Sequence, residues 1–430
     1  MRSIAAATQE MVLPQLLPTG GGVGQIESYD FVTLTPMFGG GVEAGHVDMD
    51  NPIRVPSIRG HLRAWWRFLF ADQFSDKDLL REEVKIWGGL CSADGSSDSP
   101  ATTPSKVSLS VKIDSKPQKQ KVFNPNKSDI DMDAKQYQNT SYPTYALFPF
   151  QGNRDDPRQK EGFAEGIRFT LTVTYHPSLT EEQKDQVRDS LRAWANFGGI
   201  GARTRRGCGA VHSIALGFAD KGDIAEFFSS HKKKIGILYK KEASDPVLAW
   251  INIIQTLRDF RQGVGLGRNP GETPKRPGRS RWPEPDTIRR KTGKHSSMHS
   301  PNPQMPDGFP RASFGLPINF HFKDKDDPAD FLLVPLDKKG QPLNRMASPV
   351  FLRPFKTKEG VYQLALFFPP AKIEGLGDNK KQHTLSPALP YVMDPKFTTY
   401  RNAPMENRSS TGDALQAYKK YLKDKGFEEA

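Results

Sequence analysis

Apolar positions along this chain follow two rhythms, one near two residues and one near three and a half, separated by long polar and glycine-rich stretches. Tyr29, Phe31, Val32 and Leu34 mark a strand over Ser28 to Leu34, which runs into Thr35-Pro36-Met37-Phe38-Gly39-Gly40-Gly41. The spacing of Leu62, Trp65, Trp66, Leu69 and Phe70 predicts a helix from Ser57, placed to cap it, to about Phe70. Arg59, Arg63 and Arg67 stand at i, i+4 and i+8 of that helix and form one basic ridge on its polar side. A second helix is expected over Ser75 to Ile86, stopped at Trp87-Gly88-Gly89. Strands are expected at Val107 to Ile113, Tyr145 to Phe150 and Ile167 to Tyr175, then a long helix from Leu179 to Phe197 and a strand at Ala210 to Ile214.

The second half begins again with helical stretches at Ile224 to His231 and Pro246 to Gln262. Strand patterns follow at Phe314 to Phe322, Phe331 to Pro335, Pro349 to Phe355 and Val361 to Phe368, and a last helix over Gly412 to Lys425. This alternation suits an α+β fold with antiparallel sheets. The expected organisation is an N-terminal extension (1–27), a first domain over 28–217 with a polar insertion at about 92–140, and a second domain over 218–430 containing a basic, proline-rich loop at 263–311. No repeat is visible in the sequence itself, so a duplicated fold would have to be read from the order of elements.

Composition sharpens this picture. The 430 residues include 37 Gly and 35 Pro, which fits compact domains interrupted by long loops. A formal charge of +12 points to a polyanionic partner. The apolar run Ile4 to Ala7 is too short for a secretion signal, and no run approaches the roughly 18 apolar residues a membrane helix needs. Cys91 and Cys208 are isolated, without metal-site spacing or a disulfide framework, so a reduced, cytoplasmic protein is expected.

The segment Gly198 to Gly209 carries the most specific chemistry. Arg203, Arg205 and Arg206 fall within four positions and five glycines flank them. A guanidinium fork bonds phosphate in two places and stacks on bases, while glycines such as Gly199, Gly201 and Gly207 let backbone amides approach a polyanion. A flexible turn with solvated charge has the same composition. Arg54 precedes the basic ridge, which alone would be an ordinary amphipathic helix with Trp65 and Trp66 in the core. Further on, Lys275, Arg276, Arg279 and Arg281 surround an exposed-looking Trp282, a mixture that folds onto RNA in some proteins and is a plain linker in others.

Catalytic and metal signatures are weak. Asp129, Asp131 and Asp133 open like a calcium loop, but the sixth position is Ala134 and the twelfth Thr140. His295 and His299 are four apart without sequence-adjacent Cys or carboxylate, so no metal is expected. The run from Gly263 to Arg268 lacks the last glycine of a dinucleotide fingerprint and the Lys-Ser/Thr of a P-loop. His46 and His61 are the groups a base-catalysed reaction on RNA would use. No cofactor is implied.

Several longer motifs bear a family resemblance. Thr35 to Gly41, Pro56-Ser57-Ile58-Arg59-Gly60-His61-Leu62-Arg63-Ala64-Trp65-Trp66-Arg67 and Ile86-Trp87-Gly88 resemble the N-terminal signature of CRISPR RAMP proteins, and within them the first-subunit family of the type III-B Cmr complex. Gly198 to Gly207 is similar to that family's glycine-rich loop. Ser280 to Asp286, Phe314-Gly315-Leu316-Pro317-Ile318 and Ala347 to Pro354 match further along. The resemblance implies two ferredoxin-like (RRM-like) domains and a non-catalytic, RNA-binding subunit that caps the guide-RNA 3′ end and helps capture target RNA. The implied partners are guide RNA, target RNA and the other Cmr subunits, both backbone and capping. A metal-independent guide-processing endoribonuclease and a purely protein-docking subunit are the competing readings.

Overall fold

The structure, a computed structural model, describes residues 24–41, 46–89, 102–121, 142–147, 161–242, 244–272, 278–305, 307–371, 373–378 and 413–430. The first half runs β1 (Gln25–Thr33), β2 (Met37–Phe38), α1 (Val55–Phe70), α2 (Asp76–Trp87), β3 (Val107–Ile113) and β4 (Lys119–Lys121). It continues with α3 (Thr144–Leu147), β5 (Glu161–Phe163), β6 (Arg168–Tyr175), α4 (Glu181–Phe197) and β7 (Val211–His212). The second half runs α5 (Gly222–Ser230), β8 (Gly236–Glu242), α6 (Pro246–Gln262), α7 (Glu284–Thr292), β9 (Ile318–Phe320) and β10 (Phe331–Leu336). It ends with β11 (Val350–Thr357), β12 (Gly360–Phe367), β13 (Gly375–Asp378), α8 (Ala414–Asp424) and β14 (Glu428–Glu429).

Two four-stranded antiparallel sheets organise the molecule, ordered β3-β6-β1-β7 and β11-β12-β8-β14. In each, the second, third, first and fourth strands of a β-α-β-β-α-β series lie side by side, so the halves repeat one topology that their sequences do not display. A third sheet, β13-β10-β9, forms with α7 a satellite core around Ile288, Phe309, Phe331 and Leu333.

The two main sheets are buried differently. On β6 Phe169, Leu171, Val173 and Tyr175 face the core formed with α1 and α4, and the intervening residues are more exposed, the pattern of a sheet covered on one face. β12 is buried at nearly every position. Ala365 and Phe367 pack with Trp250, Ile253 and Leu257 of α6 and with Tyr418 of α8. The alternate residues Tyr362, Leu364 and Leu366 join the core of the first half, with Phe197, Phe218 and Phe228. The second sheet is therefore a middle layer, and the first half covers its back.

Local signals explain the helix ends. α4 begins with a capping box in which the Thr180 hydroxyl accepts from the Gln183 amide and the Gln183 side chain accepts from the Thr180 amide. Ser75 caps α2 through the Asp78 amide. α1 differs from expectation: it starts at Val55, before Ser57, and its N-cap Arg54 makes no side-chain capping bond. The strand expected at Tyr145 to Phe150 is instead the short helix α3, and residues 148–150 lie outside those described, as do 1–23 and most of the expected insertion at 92–140 apart from β3, β4 and their flanks.

One buried side chain ties the layers together. Arg353 of β11 is 2 % exposed; its Nη2 donates to Val211 O at 2.8 Å, its Nη1 to Gly198 O, and its Nε to Pro354 O at 2.9 Å. Desolvation pushes its pKa down to about 9, and carbonyl oxygens are its hydrogen-bond acceptors. Replacing it in Arg353→Met would orphan two carbonyls of the first half, so we expect a loss of about 2–4 kcal/mol in a denaturant melt. Beside it, burial pushes His212 down to about 4, with Lys356 and Arg353 adding to the effect. The folded imidazole stays neutral while the unfolded one protonates near pH 6.5, so this stabilisation is complete above pH 6.5 and falls away as pH drops towards 4. Melts across that window should show about 2–3 kcal/mol of acid destabilisation, and His212→Asn should flatten that slope.

Candidate nucleic-acid interface

The glycine-rich loop begins where Gly198 ends α4 and doubles back on itself, with Ile200 N donating to Gly209 O at 2.9 Å. Its stem is pinned to the β1–β2 connection. Ala202 N donates to Phe38 O at 2.7 Å, Gly209 N to Pro36 O at 2.8 Å, and the Thr35 hydroxyl to Gly207 O at 2.6 Å. Glycine is required for contacts within the protein: a Cβ on Gly201 (φ +82) would lie 2.6 Å from Phe38 O, and one on Gly207 (φ +76) 2.6 Å from the Trp250 ring. Gly199 likewise faces Gly209 O at 2.9 Å.

The three arginines of the loop divide. Arg205 donates from Nη1 to Ser348 O at 2.7 Å and lies over the Phe351 ring at 5.0 Å. Arg206 donates to Val350 O at 2.7 Å and to the Ser348 hydroxyl at 3.0 Å, while its own carbonyl accepts from Trp250 Nε1 at 2.6 Å. Both are half-buried and hold the first half against β11 and α6 of the second. Desolvation pushes Arg206 down to about 10, and Arg203 and Arg261 push it further the same way. Arg203 alone is exposed, at a left-handed φ of +60; its carbonyl accepts from the Arg206 amide at 2.8 Å, and its guanidinium has no hydrogen-bond or ionic partner among the described residues. A non-glycine residue held in that region is strained, and such positions gather at functional sites.

Next to the loop is a cavity of about 520 Å³ lined by Met37, Gly40, Arg54, Ser57, His61 and Gly201, among others, and no carboxylate lines it among the described residues. It opens on the start of α1, which has neither a capping side chain nor an acidic residue in its first turn. Pro56 has no amide proton and the Ser57 amide donates to Arg54 O at 3.0 Å, so what this end offers an anion is mainly the positive pole of the helix. Arg54 is exposed at this end, touching Gly40 O at 3.4 Å. Burial lowers the pKa of His61, so the imidazole in this wall is neutral.

The ridge on α1 is placed otherwise than its spacing suggested. Arg63 Nε and Arg67 Nε donate to the two oxygens of Glu83, at 2.6 and 2.5 Å, and that carboxylate of α2 is 1 % exposed. Arg59 donates to Val107 O at 3.2 Å. These contacts tie α1 to α2 and β3, leaving Arg67 half-exposed. Glu83, which sequence reading passed over, is the buried counter-charge that organises the ridge.

Residues 30–212, which contain the loop, the cavity and the ridge, match the family model of the RAMP superfamily. Among solved structures, Cmr1 from Pyrococcus furiosus in its apo form is similar at 16% identity and a TM-score of 0.45, over 81% of this chain and 89% of that one. A chain of the type III-B Cmr-beta complex bound to cognate target RNA is similar at 13% identity and a TM-score of 0.43, over 83% of this chain and 95% of that one. No curated protein sequence matches the chain.

Outside residues 30–212, the described part of the basic segment Gly263 to Arg311 is largely folded. The exposed indole expected at Trp282 is corrected: the residue is 1 % exposed, donates from Nε1 to Arg261 O at 2.9 Å and packs edge-on to Phe260. Arg279 pairs with Asp286 at 2.7 Å and Arg281 donates to Gly265 O. Carboxylates interleaved with the cations pair them: Arg289 meets Asp327 through two bonds of 2.9 Å, and Arg290 meets Asp307. Lys275 and Arg276 lie outside the described residues. His299 is brought beside Asp324 and Asp327 rather than paired with His295. Arg289 already supplies the positive charge at Asp327.

The close approach at Gly207 gives a direct test. Gly207→Ala should cost about 2–3 kcal/mol, combining a left-handed backbone with a clash against Trp250. Gly166→Ala, at φ +86 with open space around it, should cost only about 1 kcal/mol in the same urea titration.

Proposed function

We propose that this chain is a non-catalytic RNA-binding subunit of a type III-B CRISPR effector complex, gripping RNA at the cavity between the glycine-rich loop and the start of α1. The observation that carries this reading is Arg203, a guanidinium unpaired among the described residues, on a strained turn beside a cavity that no described carboxylate lines, at a helix N-terminus. Arg54 stands at the same opening. A phosphate there would meet two fork donors and the positive pole of α1, and it would relieve the mutual repulsion of Arg203 and Arg206. Arg205 and Arg206 hold the loop in place for that contact. Arg59, Arg63 and Arg67 add positive potential without being free.

In this reading the repeated strand order of the two main sheets corresponds to two ferredoxin-like domains, spanning 28–217 and 218–430. The partners are guide RNA, whose 3′ end the subunit caps, target RNA, and the backbone and capping subunits of the complex. The match of residues 30–212 to the RAMP superfamily and the net charge of +12 support it.

Fluorescence anisotropy with an unstructured RNA tests the grip. Arg54→Glu with Arg203→Glu should weaken binding at least about tenfold and lower the salt slope by about 1.4, near 0.7 for each phosphate that is no longer neutralised. Unchanged affinity and slope in the double variant would remove this site from the RNA path. The same RNA incubated with the protein in EDTA should be recovered intact; cleavage abolished by His61→Ala would replace the binding role with an enzymatic one.

A further inference from the structure

A second basic surface lies at the seam between the halves, away from the Arg54 cavity. Three half-exposed rings meet there: Phe68 at the end of α1, Phe351 in β11 and Phe368 just after β12. Phe351 and Phe368 are 4.6 Å apart between ring centres, and Phe368 and Phe68 4.8 Å. A cation caps each end of the row, Arg205 over Phe351 at 5.0 Å and Lys233 over Phe68 at 5.6 Å. Trp65 and Phe228 brace Phe68, at 5.9 and 6.1 Å.

Beside Phe68 and Phe368 opens a cavity of about 500 Å³ that Arg67 and three consecutive lysines, Lys232 to Lys234, also line. Its one carboxylate, Asp72, is engaged by Lys233 at 2.5 Å. Lys232 and Lys234 are exposed and have no partner among the described residues. The turn that carries them is fixed: Lys232 sits at φ +56 and its amide donates to Ser229 O, while the Lys233 amide donates to Phe228 O, both at 2.8 Å. Unpaired cations on a rigid turn beside partly exposed aromatic rings are the two halves of a single-strand platform, because every nucleotide brings one anion and one π-face. An acidic peptide would satisfy the lysines and leave the rings without a partner of their own kind.

We propose that this seam groove is a second binding site for single-stranded RNA, with Lys232 and Lys234 on the phosphates and bases against Phe368 and its neighbouring rings. The inference rests on the RNA-binding reading above and extends it to a surface that neither half makes alone. Arg205 joins the two sites, since it belongs to the clasped loop and also caps the ring row.

The full-length chain carrying Lys232→Glu and Lys234→Glu, and separately Phe368→Leu, can be titrated with a 5-iodouridine-substituted oligouridylate by anisotropy. Arg54→Glu/Arg203→Glu runs in parallel, and photocrosslinks are mapped by mass spectrometry. The lysine pair should weaken binding about tenfold while the melting temperature holds. Phe368→Leu should cost a similar factor with the salt slope unchanged. Crosslinks should fall on Phe368 or Phe351 and persist in the Arg54/Arg203 variant. Wild-type affinity in the lysine variant beside a weakened Arg54/Arg203 variant would overturn the groove and leave the first site standing. Wild-type affinity in both would overturn the RNA-binding reading itself. Full RNA affinity with loss of a neighbouring complex subunit in co-purification would make the seam a protein-docking face and end the proposal.

Discussion

Guanidinium groups bonded to backbone carbonyls across the seam hold this molecule together. Arg353 reaches from the second half to Gly198 O and Val211 O, and Arg205 and Arg206 reach back to Ser348 and Val350. Carbonyl acceptors leave these cations as net positive charge inside the junction. Each therefore carries a desolvation cost, visible in the depressed pKa values of all three, that is offset by satisfying carbonyls which β-sheet pairing leaves open.

This clasp determines what the glycine-rich loop can offer. Gly201 and Gly207 let the loop approach Phe38 and Trp250, so close backbone contact serves the protein's own packing. With two arginines turned inward, the third is left outward in a conformation that its neighbours impose. The same packing gives β12 its near-continuous burial, because the first half supplies the second wall that a sheet covered by helices on one face would lack.

Charge is distributed by pairing rather than by composition. The arginine ridge of α1 is anchored by the buried Glu83, and the basic segment beyond α6 is knitted by Asp286, Asp307 and Asp327. Unpaired cations stand at both cavities: Arg203, with Arg54 touching a single carbonyl, beside one, and Lys232 and Lys234 at the other.

Much of the local structure was legible in the sequence. The helix over Pro246 to Gln262 and the strand over Val107 to Ile113 have the limits their apolar periods predict, and Thr180 with Gln183 marks the start of α4. Such signals are local, acting between residues a few positions apart. The order of the strands, the burial of Trp282 and the inward turn of Arg205 were decided only by the tertiary structure. The bond from Arg205 to Ser348 spans 143 residues, and no periodicity reports a partner at that distance. Sequence identified which residues could bear positive charge against a polyanion; the packing of one half on the other selected the few that still face outward, because a guanidinium drawn inward onto carbonyls no longer presents its fork to a phosphate.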